Sequence, residues 1–160
     1  MKALVLYRSY YGNTKLVADA VARGLNDAGF EAVVQDVRGK LPPLQDFACA
    51  VVGAPTRMAG ANGKTLSVLK SLGTKGLGGK PVALFDVYGP VPADPAALAK
   101  AQKWLNPGAA GAMENRARKV GLKVYEPTLR CQVTAKQGPL AANEIDRAAA
   151  FARAFAATLK

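Results

Sequence analysis

At 160 residues with 50% hydrophobic content, the chain fits one domain, residues 1–160, with a substantial buried core. Its 22 Lys and Arg against 11 Asp and Glu give a net charge of +11 and a pI near 9.9, a balance that steers encounters with acidic proteins or polyanions and does not determine the fold. Histidine is absent and the two cysteines, Cys49 and Cys131, lie far apart, which argues against a zinc site, removes the commonest general base, and leaves any catalysis to a cofactor.

In chain order, the run from Met1 to Tyr7 reads as a buried strand, Lys2 to Tyr7, and is too short for a signal peptide. No later run approaches the length of a membrane span, so a soluble cytoplasmic protein is expected. The spacing predicts a first helix from Lys15 to Ala28, with Val17, Val21 and Leu25 four apart and Gly29 as its stop. Further strands are predicted at Glu31 to Val37, Ala48 to Val52 and Pro81 to Asp86. Cys49, inside an apolar run, reads as an inert core thiol. A second helix is expected at Asn62 to Leu72, and a glycine-rich turn at Gly73 to Gly79. The region Pro92 to Val120 is less regular, interrupted at Asn106-Pro107, with room for an extra helix from Pro95 to Lys103. A fifth strand is predicted over Leu122 to Val133 with a break near Glu126-Pro127. The last helix runs from about Glu144 to Leu159, lining up Ala148, Ala152, Phe155 and Leu159 on one face with Asn143 as its cap. Strands alternating with helices at this spacing indicate a doubly wound α/β sheet of five parallel strands.

The most informative stretch is Arg8-Ser9-Tyr10-Tyr11-Gly12-Asn13-Thr14, a polar turn between the first strand and the first helix. It gathers backbone N–H groups and the hydroxyls of Ser9 and Thr14 at the positive end of a helix, where a phosphate dianion is stabilised. Gly12 lets the backbone turn towards a ligand, and Asn13 tolerates tight conformations. Tyr10 and Tyr11 are expected to contribute their backbone N–H groups. An ordinary strand-to-helix turn is the alternative reading of these residues.

The pattern S-x-x-G-N-T from Ser9 to Thr14 resembles the phosphate loop of flavodoxins, which holds the phosphate of FMN. In a doubly wound sheet the loops after strands one, three and four meet where the strand order reverses. After the third strand comes Gly53-Ala54-Pro55-Thr56-Arg57-Met58-Ala59-Gly60, and after the fourth Val87-Tyr88-Gly89-Pro90. Both resemble the loops that border the flavin ring in that family, and Pro55-Thr56-Arg57 looks like the middle loop of flavodoxin-like quinone reductases. The resemblance spans the whole chain and implies strand order 2-1-3-4-5, FMN as cofactor, and a site formed by Ser9 to Thr14, Pro55, Thr56, Arg57, Met58, Val87, Tyr88 and Gly89. It implies an electron carrier serving redox partner proteins, to which the basic charge adds the expectation of acidic docking surfaces. Alternatives are a flavin-dependent NAD(P)H:quinone oxidoreductase and a flavin-free interaction module that retains the fold.

Two departures stand out. Met58 occupies a position where many flavodoxins place tryptophan, and the only tryptophan, Trp104, lies outside the expected flavin loops. The segment Val91 to Asn106 is also longer than a short-chain flavodoxin needs. Two other patterns carry little weight. Gly63-Lys64-Thr65 imitates the end of a nucleotide P-loop, but Met58 stands where that motif needs glycine. Arg116, Arg118, Lys119 and Lys123 form a basic cluster without the interleaved aromatics of a nucleic-acid surface, and read as a solvated helix face.

Overall fold

Successive residues of a strand face opposite sides of its sheet, and in β1 (Lys2–Tyr7) both sides are covered: Ala3 and Val5 enter one core cluster, Leu4 and Leu6 the other. The same alternation runs through β3 (Phe47–Pro55) and β4 (Pro81–Tyr88), which explains why these runs are apolar throughout rather than every second residue. The structure, a computed structural model, describes residues 1–160.

The sheet is parallel throughout. Its order is β2 (Glu31–Asp36), β1, β3, β4, and then a fifth position shared by two short strands, β5 (Lys123–Val124) and β6 (Leu129–Gln132), both paired with β4. The expected fifth strand is thus present in two pieces, divided at Glu126-Pro127. This is the doubly wound order 2-1-3-4-5, with its reversal between β1 and β3.

Helices α1 (Asn13–Asp27) and α5 (Glu144–Ala157) cover one face, and α2 (Gly63–Thr74) and α4 (Gly108–Lys119) the other. The predicted stripes of α1 and α5 are core: Val17, Val21, Leu25, Ala148, Ala152 and Phe155 share one cluster. The two helices approach so closely that a Cβ on Gly24 would lie 2.3 Å from the Ala149 carbonyl oxygen. The extra helix, α3 (Pro95–Leu105), is capped by the Asp94 carboxylate on the Ala97 N–H at 2.9 Å and contributes no buried residue to either core. Asn143 does not act as a side-chain cap for α5. It sits in the left-handed region at φ 70°, and no side chain caps α5; the neighbouring Glu144 carboxylate instead ties the helix to β6, accepting from the Gln132 N–H and from the Arg147 guanidinium, each at 2.5 Å. No helix is long and apolar enough to cross a membrane.

The basic residues Arg116, Arg118 and Lys119 occupy the last turn of α4 and complement its dipole. Arg118 pairs with Glu126 at 2.6 Å and Arg116 donates to the Leu66 carbonyl at 3.2 Å. Because α4 runs antiparallel to the strands, this cluster lies at the opposite end of the sheet from the site described next.

Candidate functional site

The turn after β1 is organised from within. The Ser9 hydroxyl accepts the Gly12 N–H at 3.0 Å, and the Arg8 guanidinium donates to the Ser9 carbonyl at 2.7 Å. Gly12 occupies the N-cap position of α1 with φ 92°, a conformation that costs an L side chain strain, and no side chain caps the helix. The N–H groups of Asn13, Thr14 and Lys15 therefore have no acceptor in the protein, and neither do those of Tyr10 and Tyr11. Thr14 is only 2% exposed, yet its hydroxyl has no protein partner and is not sealed from the cavity it lines. Asn13 packs its side chain against Gly138, in the turn before the last helix. Five free N–H groups, a helix terminus and two hydroxyls form a site that favours an anion such as a phosphate ester.

The middle loop is held by bonds between distant parts of the chain. Strand β3 continues to Pro55, and the Thr56 N–H extends its ladder to the Val87 carbonyl at 2.8 Å. The Thr56 hydroxyl donates to the Asp86 carboxylate at 2.7 Å and accepts the Ala109 N–H at 2.8 Å, so it is committed to structure and only its remaining surface faces the cavity. Arg57 and Gly60 bond each other through both backbone groups at 3.0 Å, closing a turn whose central residues, Met58 and Ala59, have φ of 50° and 63°. Positive φ at both positions gives the turn a primed geometry and thrusts Met58 into solvent, 81% exposed. The Ala59 N–H bonds the Trp104 carbonyl at 2.9 Å, and the Gly108 N–H bonds the Ala59 carbonyl at 3.1 Å, which fastens the end of α3 to this loop.

These loops enclose a cavity of about 390 Å³. Of the residues singled out in the sequence, Ser9, Tyr10, Tyr11, Asn13, Thr14, Pro55, Thr56, Arg57, Met58, Val87 and Gly89 line it. Gly12 and Tyr88 do not. Gly12 shapes the turn instead of facing the cavity, and Tyr88 is the last residue of β4, its ring covered by the Arg130 guanidinium at 4.4 Å. Tyr88 stands apart from the lining because β4 runs two residues further than its apolar core suggests, so that Tyr88 ends the strand, paired with Gln132 of β6, instead of opening the loop.

Pro90, from the expected loop after β4, also lines the cavity, and five further lining residues lie outside the expected loops: Ala101, Trp104, Leu105, Val133 and Lys136. Ala101, Trp104 and Leu105 stand three and four apart on α3, a spacing visible in the sequence, although nothing local said that this face meets a cavity and not a core. Trp104, placed outside the flavin loops by sequence, is 49% exposed and forms part of the wall. Val133 and Lys136 come from the turn after β6, apart from the loops after β1, β3 and β4.

The cavity lining holds two cations, Arg57 and Lys136, and no carboxylate. The Arg57 and Arg8 guanidinium groups lie 4.3 and 4.2 Å from the centre of the Tyr10 ring, giving a cationic edge with an aromatic base. The acid Asp86, hydrogen-bonded to Thr56 of the lining, is itself fully buried and paired with Arg130 at 2.9 Å. Both cysteines are fully buried, and burial pushes their thiols up to about 12. No group of acidic, cysteine or histidine side chains gathers to hold a metal ion. Gly63-Lys64-Thr65 has a structural role, since the Asn62 side chain accepts the N–H and hydroxyl of Thr65 at 2.9 and 3.0 Å and caps α2.

Similar structures share this fold. A flavodoxin from the domain Archaea is 22% identical, with each chain 99% covered and a TM-score of 0.70. Oxidised flavodoxin 1 from Bacillus cereus is 19% identical, each chain 97% covered, TM-score 0.70. The flavodiiron core of Flv1 from Synechocystis sp. PCC6803 is 19% identical with a TM-score of 0.75, the likeness spanning 99% of this chain and 36% of that one. At these identities the likeness establishes the fold. No curated protein matches the sequence. The family model described as a flavodoxin domain matches residues 4–131, most of the chain, and this protein therefore belongs to the flavodoxin family.

Proposed function

We propose that the protein binds FMN and carries electrons between redox partner proteins. The observation that carries this reading is the turn from Ser9 to Lys15, where the N–H groups of Tyr10, Tyr11, Asn13, Thr14 and Lys15 lack acceptors beside two hydroxyls at the head of α1, opening onto a partly apolar cavity. The phosphate would sit on the N–H groups of Tyr10, Tyr11, Asn13, Thr14 and Lys15 and the hydroxyls of Ser9 and Thr14. The ring would lie between the middle loop, the Gly89-Pro90 turn and α3. Bound there, FMN supplies one- or two-electron redox chemistry. The protein binds the phosphate, shields part of the ring, and sets the surrounding charge through Arg57 and Lys136. A surface of net charge +11 fits partners whose docking faces are acidic. Two buried, unpaired thiols fit a reducing compartment and support a cytoplasmic setting.

The quinone-reductase reading rested on Pro55-Thr56-Arg57. The Thr56 hydroxyl is committed to Asp86 and Ala109, which leaves the backbone and the side chains of Pro55 and Arg57 as what this loop offers a ring in either reading. Steady-state consumption of NADH or NADPH in the presence of a quinone separates the two. A carrier shows background rates unless a separate reductase is added, and sustained turnover by the FMN-loaded protein alone would overturn the carrier assignment.

A further inference from the structure

Helix α3 buries no residue in either core, yet it presents Trp104 to the cavity. Its apolar side, Ala97, Leu98, Ala101 and Leu105, is only half-buried, and specific bonds at its C-terminal end fasten it to the rest of the fold. The Trp104 carbonyl accepts the Ala59 N–H at 2.9 Å. The next two residues are held by Arg130, which donates to the Leu105 carbonyl at 2.9 Å and to the Asn106 side-chain oxygen at 3.2 Å. The other edge of the same guanidinium grips Asp86, through Nε at 3.0 and 3.1 Å and Nη2 at 2.9 Å. Asp86 is fully buried, and the Thr56 hydroxyl and the Ala110 N–H satisfy its remaining capacity. Arg130 thus spans from the end of β4 to the end of α3, using the planar fork that a lysine lacks. The space is tight: a Cβ on Gly108 would lie 2.3 Å from Arg130 Nη2.

We propose that Arg130 is a positioning residue that holds Trp104 on the cavity, where the indole forms an aromatic wall against the flavin ring. This rests on the FMN reading above. Of the three aromatic residues of the lining, Tyr10 is already engaged by Arg8 and Arg57 and Tyr11 stands in the anion-binding turn, whereas Trp104, on α3, has only the Lys103 ammonium near its ring, at 5.1 Å, and keeps half its surface free. Met58, on the middle loop, faces solvent and supplies no wall.

The test uses Arg130→Lys, which keeps a cation beside Asp86 and gives up the fork, with Asn106→Ala as a second variant that leaves the Asp86 pair intact. Trp104 is the only tryptophan, so acrylamide quenching of its emission reports its exposure in the flavin-free protein. Both variants should raise the quenching constant. Both should weaken FMN and riboflavin by the same factor, about 2- to 10-fold, because the ring is common to the two ligands. Trp104→Ala should do likewise, and the Trp104→Ala/Arg130→Lys double variant should be no weaker than Trp104→Ala alone, as required if Arg130 acts through the indole. Unchanged quenching and affinity in both single variants, or losses that multiply in the double variant, would overturn the role of Arg130. A wild-type protein that binds neither flavin overturns the cofactor reading and the flavin wall with it, even where quenching shows Arg130 holding α3.

Discussion

Replacing Thr14 with Val removes one hydroxyl and little else. Thr14 lies in the first turn of α1, 2% exposed, and its hydroxyl makes no hydrogen bond to the protein. The free protein loses no bond, so its melting temperature should stay within about 3 °C of wild type, the shift that roughly 1 kcal/mol produces in a chain of this size. The cost falls on the ligand. A hydrogen bond to a charged phosphate contributes about 1.5 to 3 kcal/mol, so FMN should bind roughly 10- to 150-fold more weakly, while riboflavin, which lacks the phosphate, changes less than about twofold. Ser9→Ala should go further, because the Ser9 oxygen also accepts the Gly12 N–H at 3.0 Å and its loss loosens the turn by roughly another 0.5 to 1 kcal/mol. Flavin-fluorescence titrations of the flavin-free variants with FMN and riboflavin, beside thermal melts, measure all of this. Equal losses for the two flavins, or an unchanged FMN affinity in Thr14→Val, would refute the assignment of this hydroxyl to the phosphate.

Other outcomes follow from the same geometry. A fully reduced flavin carries negative charge on its ring, so Arg57→Glu should lower the second one-electron potential, by on the order of 30 to 150 mV for a reversed charge acting over about 10 Å, and added salt should shrink the difference; a redox titration in which the couple stays put or rises would mean that Arg57 serves partner steering alone. Tyr88→Ala should leave FMN and riboflavin affinities within about twofold, since its ring packs under Arg130 outside the cavity; a larger shared loss in the same titration would return Tyr88 to the flavin edge. Gly53→Ala should destabilise the fold by about 2 to 3 kcal/mol or more, because its Cβ would lie 2.0 Å from the buried Phe85 ring, and a chemical denaturation midpoint equal to wild type would contradict that packing.

Much of this architecture is written locally. The apolar runs of β1, β3 and β4 announce strands covered on both faces, and the stripes Val17-Val21-Leu25 and Ala148-Ala152-Phe155 announce the helices that cover one of them. The gathering of N–H groups and hydroxyls at the head of α1 was legible for the same reason, since all of them lie within the seven residues from Ser9 to Lys15. What the sequence hid depends on partners far away along the chain. Thr56 looked available for a ligand, and Asp86, thirty residues on, has taken its hydroxyl. Tyr88 looked like a loop residue, but pairing of β4 with β6 carries it to the end of a strand. Trp104 looked peripheral until bonds from Ala59 and Arg130 drew the end of α3 over the cavity. Asn143 had the right residue type for a cap, and its left-handed backbone took it out of that role.

The central claim is that this fold holds a flavin by its phosphate, and a titration of the flavin-free wild-type protein with FMN and with riboflavin tests it most directly. The free N–H groups and hydroxyls of the Ser9 to Thr14 turn require one-to-one binding of FMN with quenched flavin fluorescence, at least about 100-fold tighter than riboflavin, which corresponds to roughly 2.7 kcal/mol drawn from the phosphate alone. Equal affinity for the two flavins, or no binding of FMN, would contradict it.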